Sequence, residues 1–484
     1  MLDVKRAQAA LEEILKKSHA PSASVTVYDN GKVVSLNAGL RDIEENIPTD
    51  EDTMYAIGSS TKAFVAAALC ILCDDGKLTL DDPVKKHIPE FEMYDSYVTE
   101  NLTVRDILCH RCGLPRHEFS WYPRMESITP DEIVHRLRYL KPSAPFRYTM
   151  QYQNHMFLLA GYLVQRISGQ KWEDFVRERI FKPLGMDPVN FNAARDMAAY
   201  PRAARGYSYD RETGETKRMA YKDVEVMGAA GSINSTTRQM VKWVALHLNE
   251  GKVGDTQIIS QKMIRECHRH QMVIDDFGTG KVFEGYTTLP AYGLGWFIES
   301  YRGRKLVHHG GNIDGFSAMQ CFLPGTGFGM SILTNQNAST ANNAIMYTLI
   351  DLFFGDEPVS WVDKLEEFYA DMHKTDKEQQ EKMRSSAPKN APPTFELEEA
   401  AGTYENPGYG ELILTVRDGK LQVEWGSTEV VCEHVSYNHF ELTAPVFGAA
   451  FPASFETDAA NHVVALHADL EPNIKERIVF KKIK

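Results

Sequence analysis

The sequence predicts an α/β (α+β) fold, in which helices flank an antiparallel sheet and a helical subdomain is inserted, followed by a small C-terminal antiparallel β-barrel. Two observations predict this order. Strand-like alternation begins at Ser22, gives way to helical patterns from about residue 81 to 222, and returns in YGLGWFIES, RKLVHHGG, FSAMQCFLP and FGMSILTN. After a linker, short alternating strands fill residues 394–484, which is typical of a small barrel.

Local signals support the individual elements. The first residues, MLDVKRAQAALEEILKK, predict an amphipathic helix, and the Asn30-Gly31 turn predicts a hairpin. An apolar helix follows GSSTK and is expected to end near Gly76, and Thr236 with Gln239 predicts a capping box. In the barrel, a set of aromatic residues is expected to form the core rather than to line a cavity: Tyr404, Tyr409, Trp425 and Phe440.

These elements define the expected domains. The first domain is predicted to span residues 1–360, with the helical subdomain at roughly 81–222 inside it. A charged and then Ser-, Pro- and Ala-rich stretch predicts a helix and linker at 361–393, before the barrel domain at 394–484. The 484-residue length allows two or three domains of ordinary size.

Composition narrows the class of partner. The formal net charge of −13 argues against nucleic acid and anionic membranes, since there is no basic surplus to neutralise phosphates. Neither a signal peptide nor a membrane span is recognisable, and seven scattered cysteines fit reduced thiols, so we expect a cytoplasmic protein. The pairs Cys70/Cys73 and Cys109/Cys112 could hold zinc, but buried thiols are the better interpretation, and neither metal nor cofactor is predicted.

The stretch YAIGSSTKAF places Ser59 three residues before Lys62, at the start of the most apolar helix. This spacing puts both side chains on one helix face, where the amide of Ser59 could stabilise an oxyanion and a desolvated lysine could accept a proton. The S-x-x-K pattern also begins at Ser168 and Ser386, in contexts unsuited to a rigid pair. The alternative is that Ser59 or Ser60 caps a core helix beside a solvated Lys62.

Two further stretches, QYQNHMF and LVHHGGNIDGF, follow in an order that resembles the serine β-lactamase and penicillin-binding-protein superfamily. The pattern is most similar to the class C β-lactamase-related branch of esterases and D-aminopeptidases. Supporting similarity runs through LTVRDILCHRCGLPRH, MGAAGSINSTTRQM and YGLGWFI, so the resemblance covers roughly residues 5–355. The resemblance implies a β-lactamase-like fold, and the C-terminal residues resemble the lipocalin-like barrel of some members of this branch.

The resemblance also implies roles for single residues. Ser59 would be the nucleophile and Lys62 its helical partner, while Tyr152 would shuttle the proton, and either Lys62 or Tyr152 could be the first base. Asn154 would hold the acyl amide or the Lys62 ammonium. The backbone N–H groups of Ser59 and Asn312 would form the oxyanion hole.

The strand motif supplies the remaining site residues. His309 would be its functional histidine, because counting back from the Gly315-Phe316 turn selects it over His308, and Gly310 and Gly311 would line the substrate site. His309 stands where these enzymes usually have lysine, and Cys112 where relatives commonly have serine. Nothing resembles the deacylating glutamate of class A β-lactamases, so the same tyrosine and lysine would serve deacylation.

The leading hypothesis is therefore a serine hydrolase that acts through an acyl-serine on a small amide, ester or short peptide, possibly one with a D-residue. An acyltransferase with the same residues, or a non-catalytic acylation sensor or binding protein, are the alternatives. Expected partners are a small-molecule or short-peptide substrate, with a homo-oligomer possible. Because all motifs lie upstream of residue 391, a chain that ends there is expected to keep its acylation chemistry.

Overall fold

The structure is a computed structural model that describes residues 2–275, 280–357, 359–386, 388, 391–444 and 449–484. The chain forms two compact units. The first comprises the chain up to Pro89, Leu102–Arg111 and Met156–Ala370, and the second comprises Glu90–Asn101, Cys112–His155 and the chain from Asp371 onward. The domain boundaries expected from the sequence stay a prediction, and residues 387 and 389–390 of the expected linker lie outside the described residues.

The first unit contains the antiparallel sheet that the sequence predicts. The Asn30-Gly31 hairpin is confirmed, since Asp29 pairs with Lys32 across the turn. The stretch YGLGWFIES, expected as one strand, is instead divided by a turn in which Gly295 adopts a φ of +75°. The nine strands follow each other across the sheet in the order Met272–Val273, Thr287–Tyr292, Phe297–Tyr301, Arg304–Ile313, Phe316–Leu323, Phe328–Thr334, Ser22–Asp29, Lys32–Asp42 and Ile47–Pro48.

Helices cover both faces of this sheet. The amphipathic helix Val4–Ser18 buries Leu11, Ile14 and Leu15 on one face, together with the helix Ala341–Phe354. The helix Thr237–Leu248 packs on the other face, and Thr236 caps it by accepting from the Gln239 N–H, as predicted. The main helices of the chain are Val4–Ser18, Thr61–Asp74, Ser96–Asn101, Val104–Leu108, Pro130–Arg136, His155–Ser168, Trp172–Val176, Thr237–Leu248, Gln261–Cys267, Ala341–Phe354 and Trp361–Ser386.

The second unit contains a closed antiparallel barrel of eight strands, so the predicted C-terminal barrel is confirmed. Burial alternates along its strands, and the four aromatic residues expected in its core are all buried. Its strands are Gly402–Asn406, Gly410–Arg417, Lys420–Trp425, Thr428–Ser436, His439–Ala444, Ala449–Thr457, Val463–Ala468 and Ile478–Lys482. Within the described residues, no helix has the length and apolar character needed to cross a membrane.

Candidate active site

Ser59 lies in a tight turn, Gly58–Ser60, that leads directly into the helix Thr61–Asp74. The helix is buried from Thr61 to Leu72, as its apolar sequence predicts, while Ser59 itself keeps partial contact with solvent. The hydroxyl of Ser60 does not cap the helix but donates to the carbonyl oxygen of His309 at 3.1 Å. The turn is thereby tied to the neighbouring strand, which holds the Ser59 side chain in place.

Lys62 is completely buried, so the alternative of a solvated lysine is wrong. Its Nζ donates to Ser59 Oγ at 2.8 Å and to the carbonyl oxygen of Ala230 at 2.8 Å, and it lies 5.6 Å from the ring centre of Phe157. The Ser59 hydroxyl thus contacts an amine that is withdrawn from water. The pair therefore joins a nucleophile to a potential proton acceptor.

The strand Arg304–Ile313 approaches the Ser59 turn so closely that only glycine fits at two positions. A Cβ atom on Gly311 would lie 1.9 Å from the Ile57 carbonyl oxygen and 2.7 Å from the Ser59 amide nitrogen. A Cβ atom on Gly58, whose φ is +49°, would lie 2.9 Å from the amide nitrogen of Asn312. The amides of Ser59 and Asn312 thus belong to two backbones in direct contact.

His309 is buried beside these groups. Its Nδ1 lies 2.6 Å from the Gly310 carbonyl oxygen, and its Nε2 lies 2.8 Å from the hydroxyl of Tyr292. Since a carbonyl can only accept, Nδ1 carries the proton and Nε2 accepts from Tyr292. Burial, followed by the nearby charge of Lys62, lowers the pKa of His309 to about 3, so the ring is neutral at pH 7.

His308 occupies the opposite side of the same strand, because successive strand residues alternate in direction. Its ring stacks on Phe297 with centroids 5.7 Å apart, and its Nε2 lies 3.6 Å from Glu299 Oε1. Burial lowers the pKa of His308 to about 4 and raises that of Glu299 to about 7. His308 therefore faces away from the groups that His309 contacts, and the choice of His309 as the site histidine stays a prediction.

The buried histidines predict a loss of stability in acid. Burial holds the pKa of His309 and His247 at about 3 and that of His308 at about 4 in the folded chain, against about 6.5 in the unfolded chain. Below pH 6.5 the unfolded chain therefore binds more protons, and each histidine removes about 1.4 kcal/mol of unfolding free energy per pH unit. Glu299 opposes them with the same slope, because its folded form keeps the proton up to about pH 7.

We accordingly expect the urea midpoint of unfolding to fall as the pH is lowered from 6.5 to 5, since three histidines outweigh one glutamate. Urea titrations at both pH values test this expectation. A midpoint that is equal or higher at pH 5 would contradict it.

Tyr152 and Asn154 belong to the second unit and immediately precede the helix His155–Ser168. Tyr152 is half-buried, and the guanidinium carbon of Arg116 lies 5.6 Å from its ring centre. Asn154 Nδ2 donates to Glu118 Oε1 at 2.9 Å, and the same oxygen lies 2.8 Å from Arg116 Nη2. Arg116 and Glu118 therefore form an ion pair that contacts both residues of the tyrosine motif.

The structure thus brings together Ser59, Lys62 and the strand residues of the site within the first unit, and Tyr152 with Asn154 within the second. Sequence reasoning missed the residues that contact them, which are Ala230, Tyr292, Arg116 and Glu118. Ala230, Tyr292 and Arg116 lie in the supporting stretches MGAAGSINSTTRQM, YGLGWFI and LTVRDILCHRCGLPRH, and this proximity was the only signal. At the departure from the family pattern, buried Cys112 receives a weak hydrogen bond from Gln153 Nε2 at 3.7 Å from its Sγ.

Comparison with known proteins finds relatives that match most of the chain. The chain is 30% identical to unguisins hydrolase ungD′ from Aspergillus campestris (strain IBT 28561) over 424 residues, which cover 84% of this chain and 76% of the relative. The fold matches an octameric penicillin-binding protein homologue from Pyrococcus abyssi with a TM-score of 0.63 at 20% identity, over 99% of this chain and 100% of the other. A D-amino acid amidase from Ochrobactrum anthropi SV3 matches 73% of this chain and 98% of its own with a TM-score of 0.61 and 25% identity.

The family profiles divide the chain in two. A domain of unknown function, DUF3471, matches residues 386–482 and so covers the barrel. The Beta-lactamase profile matches residues 7–353, which include the serine, tyrosine and strand motifs. From this match and these hydrolase and amidase relatives it follows that the chain belongs to the Beta-lactamase family and is a serine hydrolase.

Proposed function

We propose that the protein hydrolyses small amides or esters, including short peptides with a D-residue, through an acyl intermediate on Ser59. The observation that carries this proposal is the Lys62 amine, withdrawn from water and 2.8 Å from Ser59 Oγ. A serine hydroxyl is a weak nucleophile unless a neighbouring base removes its proton. The buried amine meets this need at hydrogen-bonding distance.

In the proposed reaction, Ser59 Oγ attacks the substrate carbonyl carbon and its proton passes to Lys62 or Tyr152. The carbonyl oxygen becomes an oxyanion, which the N–H groups of Ser59 and Asn312 stabilise. Collapse of this intermediate breaks the bond to the leaving amine or alcohol, which takes up the transferred proton. Water then attacks the acyl-serine, gives its proton to the same base, and releases the carboxylic acid and Ser59.

Tyr152 is proposed as the acid that protonates the leaving group, and Asn154 as the residue that holds the acyl amide or the Lys62 amine. His309 is proposed to shape the site as a neutral ring rather than as a charge, since its pKa is lowered to about 3. Gly310 and Gly311 are proposed to line the substrate site. The missing side chain of Gly311 makes room for the Ser59 turn, since a Cβ atom there would lie 1.9 Å from the Ile57 carbonyl oxygen.

Support for an amide substrate comes from the relatives. One is described as an amidase of D-amino acids and another as a hydrolase of unguisins. Among the alternatives, acyl transfer needs the same serine, lysine and tyrosine, and differs only in the acceptor that attacks the acyl-serine.

We place the protein in the cytoplasm on the basis of its cysteines, since all seven are free thiols. Cys70 Sγ and Cys267 Sγ lie 3.5 Å apart in the buried core and remain unlinked. Thiols so close together are compatible with a reducing compartment. We also propose a small-molecule or short-peptide substrate as the partner, and self-association into a homo-oligomer.

A fluorophosphonate probe tests the proposed nucleophile. We expect the wild-type protein to be labelled on Ser59, as located by mass spectrometry of its peptides. A protein that is folded but never labelled would support a binding role instead. Product analysis with an ester substrate and added hydroxylamine or alcohol then separates the two reactions, because a hydrolase releases mainly the acid and a transferase mainly the transfer product.

Replacement of Tyr152 by phenylalanine is expected to lower kcat by roughly two to four orders of magnitude, the usual effect of a positioned acid–base group. Steady-state kinetics with a nitrophenyl ester and with an amide measure the loss. Tyr148→Phe is the matched control, because Tyr148 lies four residues earlier and is 76% exposed. Activity of Tyr152→Phe within a few-fold of wild type would remove Tyr152 from the mechanism.

His309 stands where related enzymes usually have a lysine, which would help to bind the carboxylate of a β-lactam. We therefore expect β-lactams to be poor substrates of this protein. The loss of one charge-assisted hydrogen bond is worth roughly 1.5–3 kcal/mol, or about one to two decades in rate. We expect kcat/KM for a chromogenic cephalosporin to lie below that for a nitrophenyl ester, and His309→Lys to narrow the gap. A cephalosporin value at or above the ester value, or a ratio unchanged in the variant, would refute this.

A further inference from the structure

Residues 116–120 connect the barrel to the tyrosine motif within the second unit. On the side of the motif, Asn154 Nδ2 donates to Glu118 Oε1 at 2.9 Å. Ser120, two residues after Glu118, has its Oγ 2.9 Å from the Nε2 of His155. His155 follows Asn154 directly and begins the helix His155–Ser168. The segment therefore contacts the residues on which the position of the motif depends.

On the barrel side, the segment is held at His117, a buried residue in a left-handed conformation with φ of +46°. Its backbone N–H donates to Glu471 Oε2 at 2.7 Å, and its Nε2 lies 2.8 Å from the Lys141 carbonyl oxygen. Since the carbonyl only accepts, Nε2 carries the proton and Nδ1 accepts from the hydroxyl of Tyr409, 2.7 Å away. Both ring nitrogens thus have a partner. Of the three hydrogen bonds of His117, those with Tyr409 and Glu471 are made with the barrel.

Aromatic packing adds to these hydrogen bonds. Phe119 stacks on Trp425 with ring centres 5.5 Å apart and meets Phe451 edge-on at 4.9 Å. The Ser427 N–H donates to the Pro123 carbonyl oxygen at 2.9 Å, just beyond the segment. The barrel therefore contacts the segment through its backbone, one polar ring and one apolar ring.

We propose that His117 is a positioning residue, through which Tyr409 and Glu471 of the barrel hold Tyr152 and Asn154 in the geometry that acylation requires. This inference rests on the proposed function, since it concerns the same tyrosine motif. It reverses the sequence-based expectation that a chain ending near residue 391 keeps its acylation chemistry. The barrel acts at a distance here and supplies no group to the reaction.

The backbone of His117 gives the physical reason. A non-glycine residue at positive φ is strained and persists only where its surroundings hold it. Without the Tyr409 hydroxyl, Nδ1 is left buried and unpaired, and the segment gains by moving toward a relaxed backbone with its ring in water. Glu118 and Arg116 move with it, and a displacement of about 1 Å in a reacting group can cost on the order of 100-fold in rate.

Tyr409→Phe tests this inference with the full-length chain, because it removes one hydroxyl and keeps the ring. The matched control is Tyr404→Phe, a second fully buried barrel tyrosine, whose hydroxyl donates at 2.8 Å to the carbonyl oxygen of Ala400, just before the first barrel strand. The readout is the second-order rate of fluorophosphonate labelling of Ser59. Thermal melting of each variant shows whether it is folded, and His117→Asn, which tolerates positive φ, replaces Tyr409→Phe if that variant does not fold.

We expect Tyr409→Phe to slow labelling by roughly 10- to 100-fold, while Tyr404→Phe labels at the wild-type rate. The same comparison is made in the slower Tyr152→Phe variant, whose labelling is followed over hours. There, Tyr409→Phe should lower the labelling rate by less than about threefold more, because the effects of coupled residues are not additive. Labelling of Tyr409→Phe within about threefold of wild type would overturn the inference, as would an equal loss in both backgrounds. Failure of wild type to label would instead overturn the proposed function.

Discussion

Replacement of Ser59 by alanine is expected to abolish covalent labelling and to remove essentially all turnover. The variant lacks the oxygen that forms the acyl bond and that accepts a hydrogen bond from the Lys62 amine at 2.8 Å. The cost in folding is expected to be about 1–3 kcal/mol, because the buried Lys62 amine loses one hydrogen-bond acceptor. Lys62 keeps its bond to the Ala230 carbonyl in this variant, so the site is not expected to collapse.

Labelling, kinetics and thermal melting of Ser59→Ala test this prediction together. Ser168→Ala is the matched control, because Ser168 also begins an S-x-x-K pattern but bonds locally to Gln170 at the end of a helix. Control and wild type should label equally. Labelling that persists in folded Ser59→Ala would place the nucleophile at another residue.

Replacement of Lys62 by methionine is expected to slow acylation by about 10³- to 10⁵-fold. The change removes an acid–base group, which contributes typically 10²–10⁴-fold, and also an electrostatic contact beside the developing oxyanion. Methionine has a similar length and is apolar, so burial is not penalised and the helix is expected to form normally. A fall in kcat larger than the rise in KM would identify the loss as one of chemistry.

Lys171→Met, in the second S-x-x-K pattern, provides the corresponding control and should leave the rate unchanged. The pH dependence of kcat/KM adds a separate criterion. A general base must be deprotonated to act, so its removal should alter the acidic limb of the profile. A folded Lys62→Met protein with a rate within tenfold of wild type would contradict the assignment of Lys62 as a proton acceptor.

Local sequence patterns predicted much of this site. The apolar helix after Ser59 left Lys62 either desolvated beside Ser59 or turned toward water, and the structure buries Lys62 completely. Strand alternation made His308 and His309 point in opposite directions, which left one of them for the side of Ser59. In each of these cases the spacing along the chain determined the relation in space.

Contacts between residues distant in sequence were not predictable in this way. The Tyr292 hydroxyl reaches His309 across an intervening strand, Phe297–Tyr301, which pairs with the strands of both residues. Tyr409 reaches His117 across 292 positions of the chain. Tyr409 was predicted as barrel core and is buried, but the direction of its hydroxyl depends on tertiary packing. A buried aromatic ring can fill the core and bind a distant residue at once, and periodicity detects only the first role.

The acyl-enzyme itself provides the most direct test. The wild-type protein is mixed with excess nitrophenyl ester, quenched in acid within the first turnovers, and its intact mass and peptides are measured. We predict that a fraction of the protein gains the mass of the acyl group, that this group lies on Ser59, and that it disappears as substrate is exhausted. Turnover of the ester without any covalent adduct, or with the adduct on a residue other than Ser59, would contradict hydrolysis through an acyl-serine at this site.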